Sequence, residues 1–372
     1  VSALALTGDI SNERSISQQK RSGTGYSQLT SVLDNAARIE AGNDLSLSAS
    51  GDIRNIGGVI RADGNAELSA EGDVIIASAA EQQAMLRQDK RHYWEQSSTT
   101  QHASEVQLGN DLSINAGGTL SLIASTLKAS GDINLAADGN VILASAANDS
   151  SSEYRYKGNG KKINVEKSTI RQQASVIEAG GDVGVLAGND LILSSSQIDA
   201  GSEAFLYAGN QLALLSAQSS DYYLYDYSKK GSWGSKKTQK DEITTVTNVG
   251  SQITSGGNLI LASEGDQTYQ RARLDSGNDL ILDSGGVISF EAVKDLKQES
   301  HEKSKSDLSW NSSKGKGTTD ETLRQSILLA QGKLAIKAAD GLNIDIKQIN
   351  QQSITQTIDA MVKAEPQLAW LK

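Results

Sequence analysis

The chain holds no cysteine and one proline, and its aromatics are few: two Phe, four Trp and ten Tyr in 372 residues. Without cysteine there is no disulfide framework and no thiolate metal site. No apolar run reaches the roughly 18 residues of a membrane-spanning helix. Histidine is scarce as well. His92, His102 and His301 are scattered, and none has a second ligand at metal-like spacing. No G-x-S-x-G nucleophile elbow occurs, and no glycine run leads from a strand into a helix as a phosphate loop does. Apolar residues make up only 37%, a level at which disorder competes with folding. There is no initiator Met and no signal peptide at Val1, so the sequence reads as a piece of a longer chain.

What is abundant is a repeated unit. Residues 109–146 read GNDLSINAGGTLSLIASTLKASGDINLAADGNVILASA, and related blocks occupy 42–79, 180–217 and 256–292. The starts fall 67, 71 and 76 residues apart, so the unit is kept while the spacer grows. Within 109–146 the apolar residues alternate: Leu112, Ile114 and Ala116; Leu120, Leu122 and Ala124; Ile133, Leu135 and Ala137. Period two means strands with one buried face, which argues against disorder. Gly, Asn and Asp mark the joints, where tight-turn backbone is needed. The recurrent Asn-Asp pairs lack the glycine spacing of calcium-binding β-helix repeats and read as corner turns.

The unit is also self-similar inside. GNDLSINA at 109 matches GDINLAA at 131, and Ile39, Val106, Ile177 and Ile253 each lie 21 residues before Ile60, Leu127, Ile198 and Leu274. A coil of about 21 residues holds three short strands, since strands run roughly 3–10 residues. The fold class is therefore all-β, a parallel β-helix of nine to ten coils, about 45 Å long at roughly 4.8 Å per strand spacing. Every second coil is interrupted at one corner, with insertions near 11–34, 80–104, 147–175, 218–251 and 294–322. Insertions two coils apart emerge about 9.6 Å apart, the width of a β-hairpin. They are expected to be hairpins that join into a second sheet. Tips are expected at Gly23-Thr24-Gly25, Gly158-Asn159-Gly160, Gly231 to Gly234 and Gly315-Lys316-Gly317. The repeat domain spans 1–350. Over 351–372 the spacing turns helical, with Ser353 as N-cap and Pro366 as breaker, giving a short C-terminal cap or a junction.

Charge is divided unevenly. The insertions carry 23 Lys+Arg and 18 Asp+Glu; with the chain at −10, coils and ends hold −15. An acidic rod with basic tips is a poor nucleic-acid binder, but its tips suit an anionic glycan or lipid. Aromatics follow the same division, with eight of the ten Tyr in the insertions, as if kept out of the coil interior. The candidate contact residues for a partner or membrane are Tyr93, Trp94, Tyr154, Tyr156, Tyr223, Tyr225, Tyr227, Trp233 and Trp310. Cross-strand aromatic pairing inside hairpins explains the same residues structurally. No catalytic, cofactor or metal residues emerge. Outward coil positions are mostly Ser, Asn and Ala, which does not suit a polysaccharide-cleaving β-helix.

The repeated GNDLxLxA and GDVxIxAS blocks, separated by polar insertions, resemble the haemagglutinin repeats of filamentous-haemagglutinin-like exoproteins over about residues 1–350. The tail QTIDAMVKAEPQLAWLK is similar to the end of that region in contact-dependent growth-inhibition toxins. The resemblance implies a very large Gram-negative protein, exported by two-partner secretion through an outer-membrane β-barrel transporter into a cell-surface fibre. It also implies partners in a recipient's outer membrane or receptor, in adjacent coils, and in a C-terminal toxin of the same polypeptide. The expected role is a non-catalytic structural and delivery segment. An adhesin shaft binding glycan or protein, and a carbohydrate-active enzyme, are the alternatives.

Overall fold

The computed structural model describes residues 1–307 and 309–345, so the helix expected over 351–372 lies outside the described residues. The alternating segments form short strands, three per turn. Among the described residues, the first two faces of the coil are parallel sheets of ten strands each, and the third has nine. One turn runs Leu45–Ala49 on face one, Ile53–Ile56 on face two and Val59–Ala62 on face three. The next coil then returns to face one at Ala66–Ala70, directly above. The 21-residue spacing read from sequence is the pairing register itself: Ile39 lies beside Ile60, Val106 beside Leu127, Ile177 beside Ile198 and Ile253 beside Leu274.

Stacking of like residues makes the core. Leu47, Leu68, Ile114 and Leu135 form one buried column on face one. Each such side chain contributes about 1.5–3 kcal/mol on burial. The interior is not free of aromatics as the composition suggested. Tyr269 is fully buried, stacked on Phe290 with ring centroids 5.1 Å apart. Its hydroxyl donates to Gln267 at 2.8 Å, and the Gln267 amide in turn donates to the Asp283 carbonyl at 2.8 Å. Burial raises the Tyr269 hydroxyl well above the ordinary tyrosine range. With its polar tip satisfied, a tyrosine fits where leucine stands in other coils.

The corners carry the polar order. At each Asn-Asp or Gly-Asp joint a side-chain oxygen accepts the backbone N–H of the residue one coil later. Asp44 accepts from Asn65, Asp111 from Asp132, and Asp132 from Asp182, at 2.8–2.9 Å. This explains the glycine before the aspartate. A Cβ on Gly131 would fall against the Asp111 Oδ1, and one on Gly181 against the Asp132 Oδ1.

The corner between faces two and three alternates. In one coil it closes through a residue with positive φ: Gly57, Ala124, Ser195 or Arg271. In the next it opens into a hairpin. The five hairpins are Ile16–Gly23 with Tyr26–Leu33, Ala79–Gln88 with His92–His102, Ala146–Gly158 with Lys161–Gln173, Ala217–Lys230 with Lys236–Val249, and Val293–Ser306 with Asn311–Arg324. They join edge to edge into one ten-stranded antiparallel sheet, a wing along the rod. Its strands lengthen from 8 residues in the first hairpin to 14 in the last. Returning chains re-enter the coil at buried serines. The hydroxyls of Ser104 and Ser175 each bridge a carbonyl of the preceding coil (Asn55, Leu122) and one at the end of the strand that leads into the hairpin (Ala77, Ala144), at 2.7–2.9 Å. At the root, Ile75, Ala77, Ile123, Ile142 and Ala146 form a second buried cluster on the outer side of face two.

Two details depart from the sequence reading. The first insertion begins later than residue 11, because Ile10–Glu13 still pairs with Ile53–Ile56 on face two. The fifth tip is not Gly315-Lys316-Gly317, which lies in a strand opposite Glu302, His301 and Ser300. Its turn runs from Asp307 to Trp310, where the Asp307 carboxylate accepts the N–H groups of Ser309 and Trp310 at 3.1 and 2.9 Å. An aspartate that caps its own turn outweighs glycines that a strand tolerates.

The corner geometry sets a test. Gly131→Ala should destabilise the chain by on the order of 1–3 kcal/mol, the cost of overpacking. Gly42→Ala should be near neutral, because no atom lies within 4 Å of the place its Cβ would take. Denaturant melts of the two variants check it, and equal effects would refute the packing account.

Candidate interaction surface on the hairpin wing

Strand register assigns each wing side chain to a face. Trp94 pairs with Tyr154, Tyr154 with Val165, and Val165 with Tyr225. One row nearer the tips, His92, Tyr156, Ile163 and Tyr227 are paired in succession. One row nearer the root, Lys167 pairs with Tyr223 and Tyr223 with Ile243. Residues directly paired share a face, as do residues two apart. Six of the nine candidate residues therefore come together on one face: Trp94, Tyr154, Tyr156, Tyr223, Tyr225 and Tyr227.

This aromatic face is physically coherent. The rings of Tyr225 and Tyr227 are nearly parallel, with centroids 6.4 Å apart, and His92 lies 5.1 Å from Tyr156. Lys161 sits 5.6 Å from the Tyr227 ring and Lys167 5.7 Å from the Tyr223 ring. Nearer the tips, Lys161, Lys229, Lys237 and Lys305 follow one another across four strands in register. The wing strands make their extensive contacts only with one another, so both wing faces meet solvent over most of their area.

The other three candidates are elsewhere. Tyr93 points to the opposite face, its ring 3.8 Å beneath the Arg155 guanidinium. Its hydroxyl bonds Glu95, which raises it above the ordinary tyrosine range. Trp233 and Trp310 sit at the tips of the fourth and fifth hairpins, 85% and 67% exposed. Trp233 has φ 56° inside a short turn, Ser232–Gly234. A bulky residue in the left-handed region is an outlier, and here it carries the most exposed large hydrophobic side chain among the described residues.

All three histidines lie in the wing beside a carboxylate: His92 by Asp89 at 3.0 Å, His102 by Glu81 at 2.9 Å and His301 by Asp241 at 2.8 Å. Asp89 organises the second tip. Its carboxylate accepts the N–H groups of Arg91 and His92, both at 2.7 Å, and these bonds with the His92 ring hold its pKa down to about 2. Among the described residues, no group of three or more His, Cys, Asp or Glu side chains is placed to hold a metal ion.

The sequence reading missed an apolar patch on the rod. Leu186 and Phe205 point outward from face one and are 45% and 40% exposed, with Gly184, which carries no side chain, directly opposite Phe205. The signal was there: Phe205-Leu206-Tyr207 has no polar residue to alternate with.

Residues 15–91, 85–170, 156–235 and 230–333 match the Hemagglutinin repeat family. The first three matches each run from one hairpin across two coils into the next hairpin, and the fourth runs on through the fifth hairpin to residue 333. The chain belongs to the haemagglutinin-repeat family. Among its relatives, "Deoxyribonuclease CdiA" of Dickeya dadantii is 29% identical over 273 residues, covering 72% of this chain and 8% of that protein. "16S rRNA endonuclease CdiA" of Enterobacter cloacae is 27% identical over 301 residues, covering 69% and 9%. "tRNA nuclease CdiA" of Yersinia mollaretii is 28% identical over 163 residues, covering 37% and 6%. The chain thus spans less than a tenth of the length of these relatives. No solved structure matches it.

Two measurements follow from the wing. Replacing Tyr223, Tyr225 and Tyr227 with Ser should leave the rod folded, because these residues pair only with other wing strands. Loss of the β-type circular dichroism would show that the wing is not peripheral. For Asp89, the folded pKa of about 2 lies below the ordinary aspartate value of 3.8. A depressed carboxylate stabilises its turn fully above 3.8 and loses that contribution as pH falls toward 2. Carbon-detected NMR titration should place Asp89 near 2, with the Arg91 and His92 amides shifting in step; a midpoint near 3.8 would refute the turn.

Proposed function

We propose that the chain is a non-catalytic structural and delivery segment of a large secreted fibre on a Gram-negative cell surface. In this reading it helps carry a C-terminal toxin of the same polypeptide across the outer membrane of a neighbouring bacterium. The nuclease activities in the relatives' names belong to those proteins. What this chain shares with them is a stretch of repeats, and repeats that stack a rod and a wing need no catalytic group. Export through the outer-membrane transporter of a two-partner system, and stacking on adjacent coils of a longer polypeptide, belong to the same reading.

The observation that carries it is the one-sided wing. Six aromatic rings on one face lie beside a lysine row, with Trp233 and Trp310 at the rim. Tyrosine and tryptophan favour the interface between hydrocarbon and water, where one end of the ring is apolar and the other wet. Lysines near an anionic surface contribute about 1 kcal/mol each, so a row of four reaches about 4 kcal/mol. That suits a reversible surface contact rather than permanent insertion.

Flotation with outer-membrane vesicles and liposomes tests the reading, using the chain with and without its five hairpin tips. Tip-dependent flotation is expected. No flotation under any condition would sink the membrane contact and leave a passive shaft. Tip-dependent binding to a glycan array without flotation would favour the adhesin.

A further inference from the structure

The wing leaves the corner between faces two and three, so face one lies on the far side of the rod with its outer surface clear of the hairpins. Each strand of that face turns two side chains outward, two residues apart. In the second half of the rod these are apolar. Phe205, Ile260 and Ile281 stand side by side in register, with Leu186 and Tyr207 in the neighbouring row. Earlier on the same row stand Ser46, Ser113 and Asn134, so stacking of coils does not itself call for apolar residues there. An exposed apolar patch of this kind marks a contact surface.

The sizes of the outward residues say what covers it. Within a strand a bulky one is coupled with a small one: Leu4 with Ser2, Leu186 with Gly184, Ile260 with Ala262. Over Gly184 the missing side chain leaves a hollow of about 450 Å3, walled by Asn134, Leu186 and Phe205 among others. Phe205 is coupled with Tyr207, whose hydroxyl is tied to Glu264 at 3.0 Å. A two-fold axis along the rod presents every strand to its own reversed copy, so each outward residue meets the other outward residue of the same strand. Leu186 of each copy then enters the Gly184 hollow of the other, Ile260 lies on Ala262, and the Phe205 ring lies on Tyr207. With the rods opposed and Phe205 seated over Gly184, Ile260 and Ile281 would fall on Asn134 and Ser113, and part of each face would overhang.

We propose that face one seats a second copy of this chain, the two rods lying side by side in the same direction. Its ten strands of four or five residues, at roughly 4.8 Å and 3.3 Å per step, give about 800 Å2 per copy, the area a standard stable interface buries on each partner. The pairing does not rest on the delivery reading, since a passive shaft would pair in the same way.

Sedimentation velocity of the whole chain over a range of concentrations tests it, and a monomer–dimer equilibrium is expected. Phe205→Ser and Leu186→Gly should each weaken the dimer about tenfold or more. Gly184→Leu should weaken it as well, by filling the hollow. The coil tolerates that change, because a Cβ at Gly184 meets the Oδ1 of Asn134 at 2.7 Å, the end of a side chain that can turn aside. Combining Gly184→Leu with Leu186→Gly exchanges knob and hollow within one strand and should restore the dimer, since the axis relates those two positions. Lys20→Gln in the first hairpin should leave it unchanged. Circular dichroism checks that each variant is folded. A monomer at every concentration, or a dimer indifferent to Phe205→Ser and Leu186→Gly, overturns the proposal. Failure of the exchange to restore the dimer overturns the parallel arrangement. Phe205-dependent flotation with phosphatidylcholine vesicles and no dimer would assign the face to lipid and overturn the pairing.

Discussion

One length governs this molecule: the distance between neighbouring β-strands. A coil climbs by one strand spacing, and a hairpin occupies two. Hairpins that leave every second coil therefore arrive side by side at hydrogen-bonding distance, and the wing closes into a continuous sheet without gap or overlap. Had every coil carried one, the hairpins would have been crowded to half their width. Every third coil would have left a missing strand. The rod sets the pitch of the wing, and the wing holds alternate coils together from outside.

This commensurability explains why much of the architecture was legible in the sequence. Residues 21 apart repeat because they stack, so Ile39 and Ile60 announce the pairing that joins their strands on face three. The insertions could be placed at one corner because the repeat resumes after each in the same phase. The departures have local causes. Glycines at 315 and 317 looked like a turn, yet Asp307 nucleates the turn elsewhere by capping its own backbone. Tyr269 looked out of place inside a leucine-lined coil until Gln267 supplied a partner for its hydroxyl.

The surface was harder to read than the core. Alternation within one strand separates Tyr93 from Trp94, but which rings gather on one face depends on the register between strands. That register follows from where each hairpin turns, the least determinate feature in the sequence. Composition could say that the aromatics and lysines sit on the decoration. Only pairing could say that six rings share one side and that four lysines stand in line.

The corner bonds have a direction. At the aspartate joints the accepting oxygen comes earlier in the chain than the N–H it receives: Asp9 before Asp52, Asp44 before Asn65, Asp190 before Gln211, Asp266 before Val287. A finished coil thus presents a row of fixed acceptors to a segment that has not yet folded. Where a glycine stands ahead of the arriving N–H, it leaves the approach open. At the same joints a backbone bond runs the other way, from the Leu45 N–H to the Asn65 carbonyl and from the Leu112 N–H to the Asp132 carbonyl, each at 2.9 Å. Neighbouring coils are thus clasped from both sides at every such corner, and neither can shift along the other without breaking both bonds.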